Sequence, residues 1–169
     1  MMNPSHVGRE RCGLRGTTHL PSLRSPHLEK AMNVPDGFEP HFRKSPLTEP
    51  WEPLYSKLEE GCVIIGLRLA HAHTNSRGFA HGGLVAALAD NAMGLSCVQL
   101  AHQRESGENV RGAVTVGLNI DYLSTASLGD WLEFRAVVIK TGRRLSFAEC
   151  KVVVDEKVIA RAAASFAHG

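Results

Sequence analysis

The 169 residues carry 19 Lys and Arg against 17 Asp and Glu, a net charge of +2, with 43% apolar residues. That is enough apolar material for one core and one domain, and too small a basic excess for a nucleic-acid-binding surface. Cys12, Cys62, Cys97 and Cys150 lie far apart and form no C-x-x-C pair, which argues against a zinc knuckle or a disulfide scaffold and for a reduced, cytosolic setting.

Residues 1–36 combine Pro, Ser, Gly and His with Arg9, Arg11, Arg15, Arg24 and Lys30 against Glu10 and Glu29, and show no apolar period. They are expected to be a disordered basic extension, with the folded domain over 37–169. No apolar h-region marks a secretory signal, although the Arg and Ser content leaves an organelle transit peptide open; Met32 is an alternative start. The string SPLTEPWEPLYSKLEEG over 45–61 offers Thr48 as a cap, Pro50 and Pro53 near the first turn and Gly61 as a stop, so a short amphipathic helix is predicted. The β-branched run 62–70 predicts the first strand, and 71–80 a polar loop.

Residues 81–101 are rich in Ala and Leu, lack Pro and begin on a Gly-Gly pair. Such a helix would be roughly 30 Å long and apolar on nearly every side, so other structure must wrap it. Asp90, Asn91, Ser96 and Gln99 interrupt the apolar run, which reads as a buried helix and not as a membrane span. Downstream, Val110, Val114, Val116, Leu118, Ile120 and Tyr122 alternate with polar or small residues, a long two-faced strand with Thr115 on the polar face. Three further strands follow over 130–140, 145–154 and 157–167, joined by short turns, and are therefore antiparallel. The fold class is α+β, a hotdog arrangement with an antiparallel sheet of five to six strands wrapped around one long central helix.

A Gly-Gly pair opening a helix presents free N–H groups at the positive end of the helix dipole with no side chain in the way, a place for an oxyanion; Gly82 N–H is the first choice and Gly83 adjoins it. The same glycines would also permit tight packing where loop enters helix. Asp90 is a carboxylate in the middle of an apolar helix, where an unpaired charge is costly, and fits a general base or nucleophile of raised pKa, or an acid satisfied by a local hydrogen bond. Because Asp90 lies about 12 Å beyond Gly82 along the helix, it cannot act on a carbonyl held at its own helix N-terminus. An antiparallel homodimer would bring Asp90 of one subunit to Gly82 of the other. His81 is equally readable as a substrate contact or as a helix cap. His71-x-His73 is half a metal site without further ligands, so no metal is expected, and no cofactor motif is present.

With SPLTEPWEPLY before them and GLNIDYLSTASLGDWLEF after them, the residues HTNSRGFAHGGLVAALADNAMG make the chain from about Phe38 onward resemble a PaaI-like hotdog thioesterase. The resemblance implies hydrolysis of acyl-CoA or aryl-acyl-CoA substrates by homodimers that often form homotetramers, with no cofactor, nucleic acid or membrane as partner. It assigns Asp90 as the catalytic acid, Gly82 as the oxyanion amide, Asn75 and His81 as polar residues around thioester and water, and Thr115 as the residue that positions the water or the carboxylate. Arg77, Arg143 and Arg144 fall in loops where relatives admit the nucleotide, and arginine suits its phosphates. The alternatives are a non-catalytic acyl-CoA-binding protein, which would lose the acid, and a hydratase, whose Asp-x4-His pair is absent because Leu95 stands at that spacing.

Overall fold

The computed structural model describes residues 33–103 and 112–168. Its elements are strands β1 (Glu39–Pro40), β2 (Tyr55–Glu59) and β3 (Cys62–Arg68), helix α1 (Gly82–His102), and strands β4 (Ala113–Tyr122), β5 (Trp131–Thr141), β6 (Leu145–Val154) and β7 (Lys157–His168). The strands form one antiparallel sheet in the order β1-β2-β3-β5-β6-β7-β4, and α1 packs against its inner face. The α+β hotdog arrangement holds, with seven strands in place of five or six. Residues 1–32, with Cys12, and Val110 with Arg111 lie outside the described residues.

The expected helix over 45–61 does not form. Only a single 3-10 turn, Glu49–Trp51, occurs there, with Pro50 inside it and Pro53 just after it, and Tyr55–Glu59 pairs with β3 instead. The prolines remove the backbone donors a helix would need, and Gly61 at φ 79° serves a tight β2–β3 turn.

The apolar side chains of α1 run around its whole circumference, and Leu84, Leu88, Ala92, Met93 and Cys97 are buried in the sheet's curl with Ile65, Leu67, Phe134 and Phe166. By length and mean hydropathy α1 would suffice to cross a membrane, contrary to the sequence reading, but these residues pack inside the sheet. Ser96 locks helix to sheet: its hydroxyl donates to Ala92 O at 2.7 Å and accepts from Val63 N–H at 2.8 Å, so this buried polar group is satisfied.

Two features of β4 set up the site. Residues 123–130 carry the chain away from it, so β4 pairs with β7 and not with β5, and its outer edge has no strand partner among the described residues. A bulge between Thr115 and Gly117 also breaks the alternation. Thr115 stands opposite buried Phe166 and faces α1, whereas Gly117 stands opposite Ser165 on the outer face. Thr115, expected on the polar face of its strand, turns toward α1, and the extra residue, Val116, shifts the pleat by one.

Candidate active site

Asp90 is half-buried midway along α1, and Thr115 Oγ1 donates to its Oδ1 at 2.9 Å. Burial pushes the Asp90 carboxyl above its ordinary value, and the Thr115 hydrogen bond, which favours the charged form, pulls part of the way back. The carboxyl opens on a cavity of 290 Å³ lined by Asn91, Gly94 and Val98 of the same helix face, by Phe166 and by Ser45 and Thr48 of the segment before β2. Ser45 and Thr48 brace that segment through paired hydroxyls 3.0 Å apart and a bond from Thr48 Oγ1 to Ser45 O at 3.2 Å.

At the start of α1, His81 is the N-cap, and its Nδ1 accepts from Gly83 N–H at 3.0 Å. The cap thus takes up the Gly83 amide, while the neighbouring Gly82 amide is left open. With Nδ1 accepting, Nε2 is the ring nitrogen left to donate. The Gly82 N–H finds no acceptor among the described residues, while Tyr122 Oη donates to Gly82 O at 2.7 Å. Asn75 spends its Oδ1 on Arg77 N–H (2.9 Å) and Phe79 N–H (3.3 Å), a local turn that leaves its Nδ2 amide free to donate. Asn75, Arg77, Gly82 and Tyr122 line a second cavity, distinct from that of Asp90.

The structure thus gathers Asn75, Arg77 and Gly82 at one end of α1, with exposed His81 beside them, and joins Asp90 to Thr115 further along it. Arg143 and Arg144 sit on the β5–β6 turn, where Arg144 O accepts from His168 N–H at 3.0 Å, and line neither cavity. Tyr122 and the Ser45–Thr48 brace escaped sequence reasoning; Tyr122 carried a signal, as the last residue on the apolar face of β4. His73, half of the His-x-His pair, is buried and structural: its Nδ1 accepts from Ala70 N–H at 2.9 Å and its carbonyl from His81 N–H at 3.0 Å.

A long helix wrapped by one antiparallel sheet is the hotdog fold, here with a hydrogen-bonded carboxylate on the helix and an open amide at its start. The thioesterase superfamily model matches residues 77–160. The Pseudomonas aeruginosa protein PA0474, which bears a provisional esterase name, is 38% identical over 136 residues, covering 80% of this chain and 97% of that one. The chain belongs to the thioesterase superfamily. Human acyl-coenzyme A thioesterase 13 is 40% identical over 91 residues, 52% of this chain and 57% of that protein, so this match spans little more than half of the human protein. Among solved structures, a variant of the phenylacetic acid degradation protein PaaI from Thermus thermophilus superposes with a TM-score of 0.61 at 25% identity, over 74% of this chain and all of that one.

Proposed function

We propose that the protein hydrolyses acyl-CoA or aryl-acyl-CoA thioesters to free acid and CoA at a site shared by two subunits. The observation that carries this is the pairing of α1 with β4: Asp90 bonds to Thr115 near the start of the strand, and Gly82 bonds to Tyr122 at its end. If the free edge of β4 pairs antiparallel with that of a second copy about a twofold axis near Leu118 and Asn119, Asp90 of one subunit meets Gly82 of the other, twice per dimer.

The thioester carbonyl oxygen accepts from the partner's Gly82 N–H, at the positive end of the partner's α1, where charge on oxygen develops as attack proceeds. Asp90 either takes the proton of an attacking water or attacks the carbonyl itself; in both routes the tetrahedral adduct collapses by breaking the C–S bond, and CoA leaves as a thiolate that is then protonated. The first route gives the free acid directly; the second leaves an acyl-Asp90 anhydride, which water then hydrolyses to the free acid and the Asp90 carboxylate. Asn75 Nδ2 and His81 Nε2–H supply further donors. The twofold also brings Arg143 and Arg144, at the Asp90 end of the sheet, toward the partner's Arg77, giving the CoA phosphates cations from both chains. Release of free thiol from a panel of acyl-CoAs tests this reading; binding without thiol release would support the non-catalytic alternative.

The Thr115 bond predicts a pH effect. Its loss in Thr115→Val leaves the Asp90 carboxylate less stabilised, so its pKa rises further. Since the base must be ionised, the acidic limb of the kcat/KM profile moves to higher pH, and an unmoved limb would show that Thr115 does not tune Asp90. The homotetramer is supported by the outer sheet face, where Val114 of β4, Val137 and Ile139 of β5 and Phe147 of β6 are exposed. Phe147→Glu is expected to reduce the mass in solution from tetramer to dimer, measured by light scattering.

A further inference from the structure

We propose that Tyr122 is a positioning residue that acts through Gly82: its hydroxyl holds the glycine start of α1 so that the Gly82 N–H is aimed at the thioester oxygen before substrate arrives. The inference rests on the reading of that amide as the oxyanion donor given above. Such a donor contributes most when its direction is fixed in advance, because no reorganisation is then needed as charge develops. Glycine is the residue least able to fix its own backbone, and two stand in succession here. The donor therefore has to be held by its neighbours.

The holding bonds lie on either side of the Gly82 Cα. The His81–Gly82 peptide is held within the helix, where His81 O accepts from Val85 N–H at 3.1 Å. The Gly82–Gly83 peptide is held at both of its polar atoms: Gly83 N–H donates to His81 Nδ1 at 3.0 Å, and Gly82 O accepts from Tyr122 Oη at 2.7 Å. Of these, the Tyr122 bond ties the helix start to a different element, and that element is firm there. Tyr122 pairs with Ala160 of β7, and the next residue, Leu123, donates its N–H to Ile159 O at 2.9 Å. The phenol ring also lies against the Gly82 Cα, since a Cβ there would meet its Cζ and Oη at 3.3 Å, so a glycine at this position lets the ring come close enough to bond. Burial raises the Tyr122 phenol above its ordinary value of about 10, which keeps it a donor over the pH range in which Asp90 ionises.

The test compares Tyr122→Phe with the wild type in two ways: kcat and KM across pH for an acyl-CoA that the wild type hydrolyses, and exchange of the Gly83 amide proton in the free enzyme by NMR. Removing only the hydroxyl should lower kcat about tenfold, short of the roughly 10²–10³-fold typical of losing an oxyanion donor outright, with KM and Tm near wild type and the acidic limb set by Asp90 in place. Gly83 N–H should exchange about fivefold faster, as its peptide loses one of its two bonds. Unchanged kcat would overturn the proposal, and so would a fall in kcat without faster Gly83 exchange, which would make Tyr122 a direct substrate contact. A shifted acidic limb or a Tm several degrees lower would also overturn it, by tracing the loss to Asp90 or to the sheet. If the wild type releases no thiol from any acyl-CoA, the catalytic reading itself fails and the proposal falls with it.

Discussion

Asp90→Asn should lower kcat at least about 10²-fold while leaving fold and oligomeric state intact, because only the carboxylate can act as base or nucleophile. The same substitution should stabilise the protein at neutral pH. The folded state holds the Asp90 carboxyl above its ordinary value and so binds a proton more readily than the unfolded chain, whose carboxylate titrates near about 3.9. Stability is lost as pH rises from that unfolded value through the raised folded one, and the deficit persists above it. Asn carries no charge and keeps an acceptor for Thr115, so its Tm should exceed that of the wild type at pH 7 and the gain should vanish well below pH 4. An inactive variant with a lower Tm at neutral pH would assign Asp90 to packing; near-normal kcat would remove it from the chemistry.

Gly82→Pro should cost about 10²–10³-fold in kcat, the usual effect of removing one oxyanion donor. Proline deletes the N–H itself, yet it suits the first residue of a helix, and His81 already has the extended backbone, φ −70° and ψ 127°, that a following proline demands. The added ring atoms would approach Tyr122 Cζ and Oη, which a Cβ here meets at 3.3 Å, and that exposed side chain can yield. Circular dichroism and Tm close to wild type would separate loss of the donor from loss of the helix start, whereas retained kcat in a folded variant would exclude the Gly82 amide as the oxyanion site.

Much of this was legible from residue types alone. Asp90 stood out because an apolar helix does not tolerate a free carboxylate, Gly82 because two glycines in succession open a helix, and the strands after Ser127 because short turns force antiparallel neighbours. The failures share one physical origin, contacts between residues distant in the chain. Tyr55–Glu59 reads as helix until β3 offers it a ladder, and the unbroken alternation read along β4 is interrupted by a bulge at Val116. Gly82 was already the first choice over Gly83, and the rotamer of His81 shows why: its Nδ1 takes up the Gly83 amide. The cavity wall from Ser45 to Thr48 lies more than forty residues before Asp90, where no local pattern links them.

The shared site is tested most directly by mixing folded, separately inactive Asp90→Asn and Gly82→Pro subunits under conditions that exchange them. In a mixed dimer one site pairs an intact Asp90 with an intact Gly82 while the other holds both defects, so each mixed dimer has half the wild-type activity. Random pairing of equal amounts makes about half of all dimers mixed, and recovery near one quarter of the wild-type rate is the predicted result for a twofold dimer. Activity that stays at the level of the separate variants, with subunit exchange demonstrated, would contradict a site built from Asp90 of one chain and Gly82 of the other.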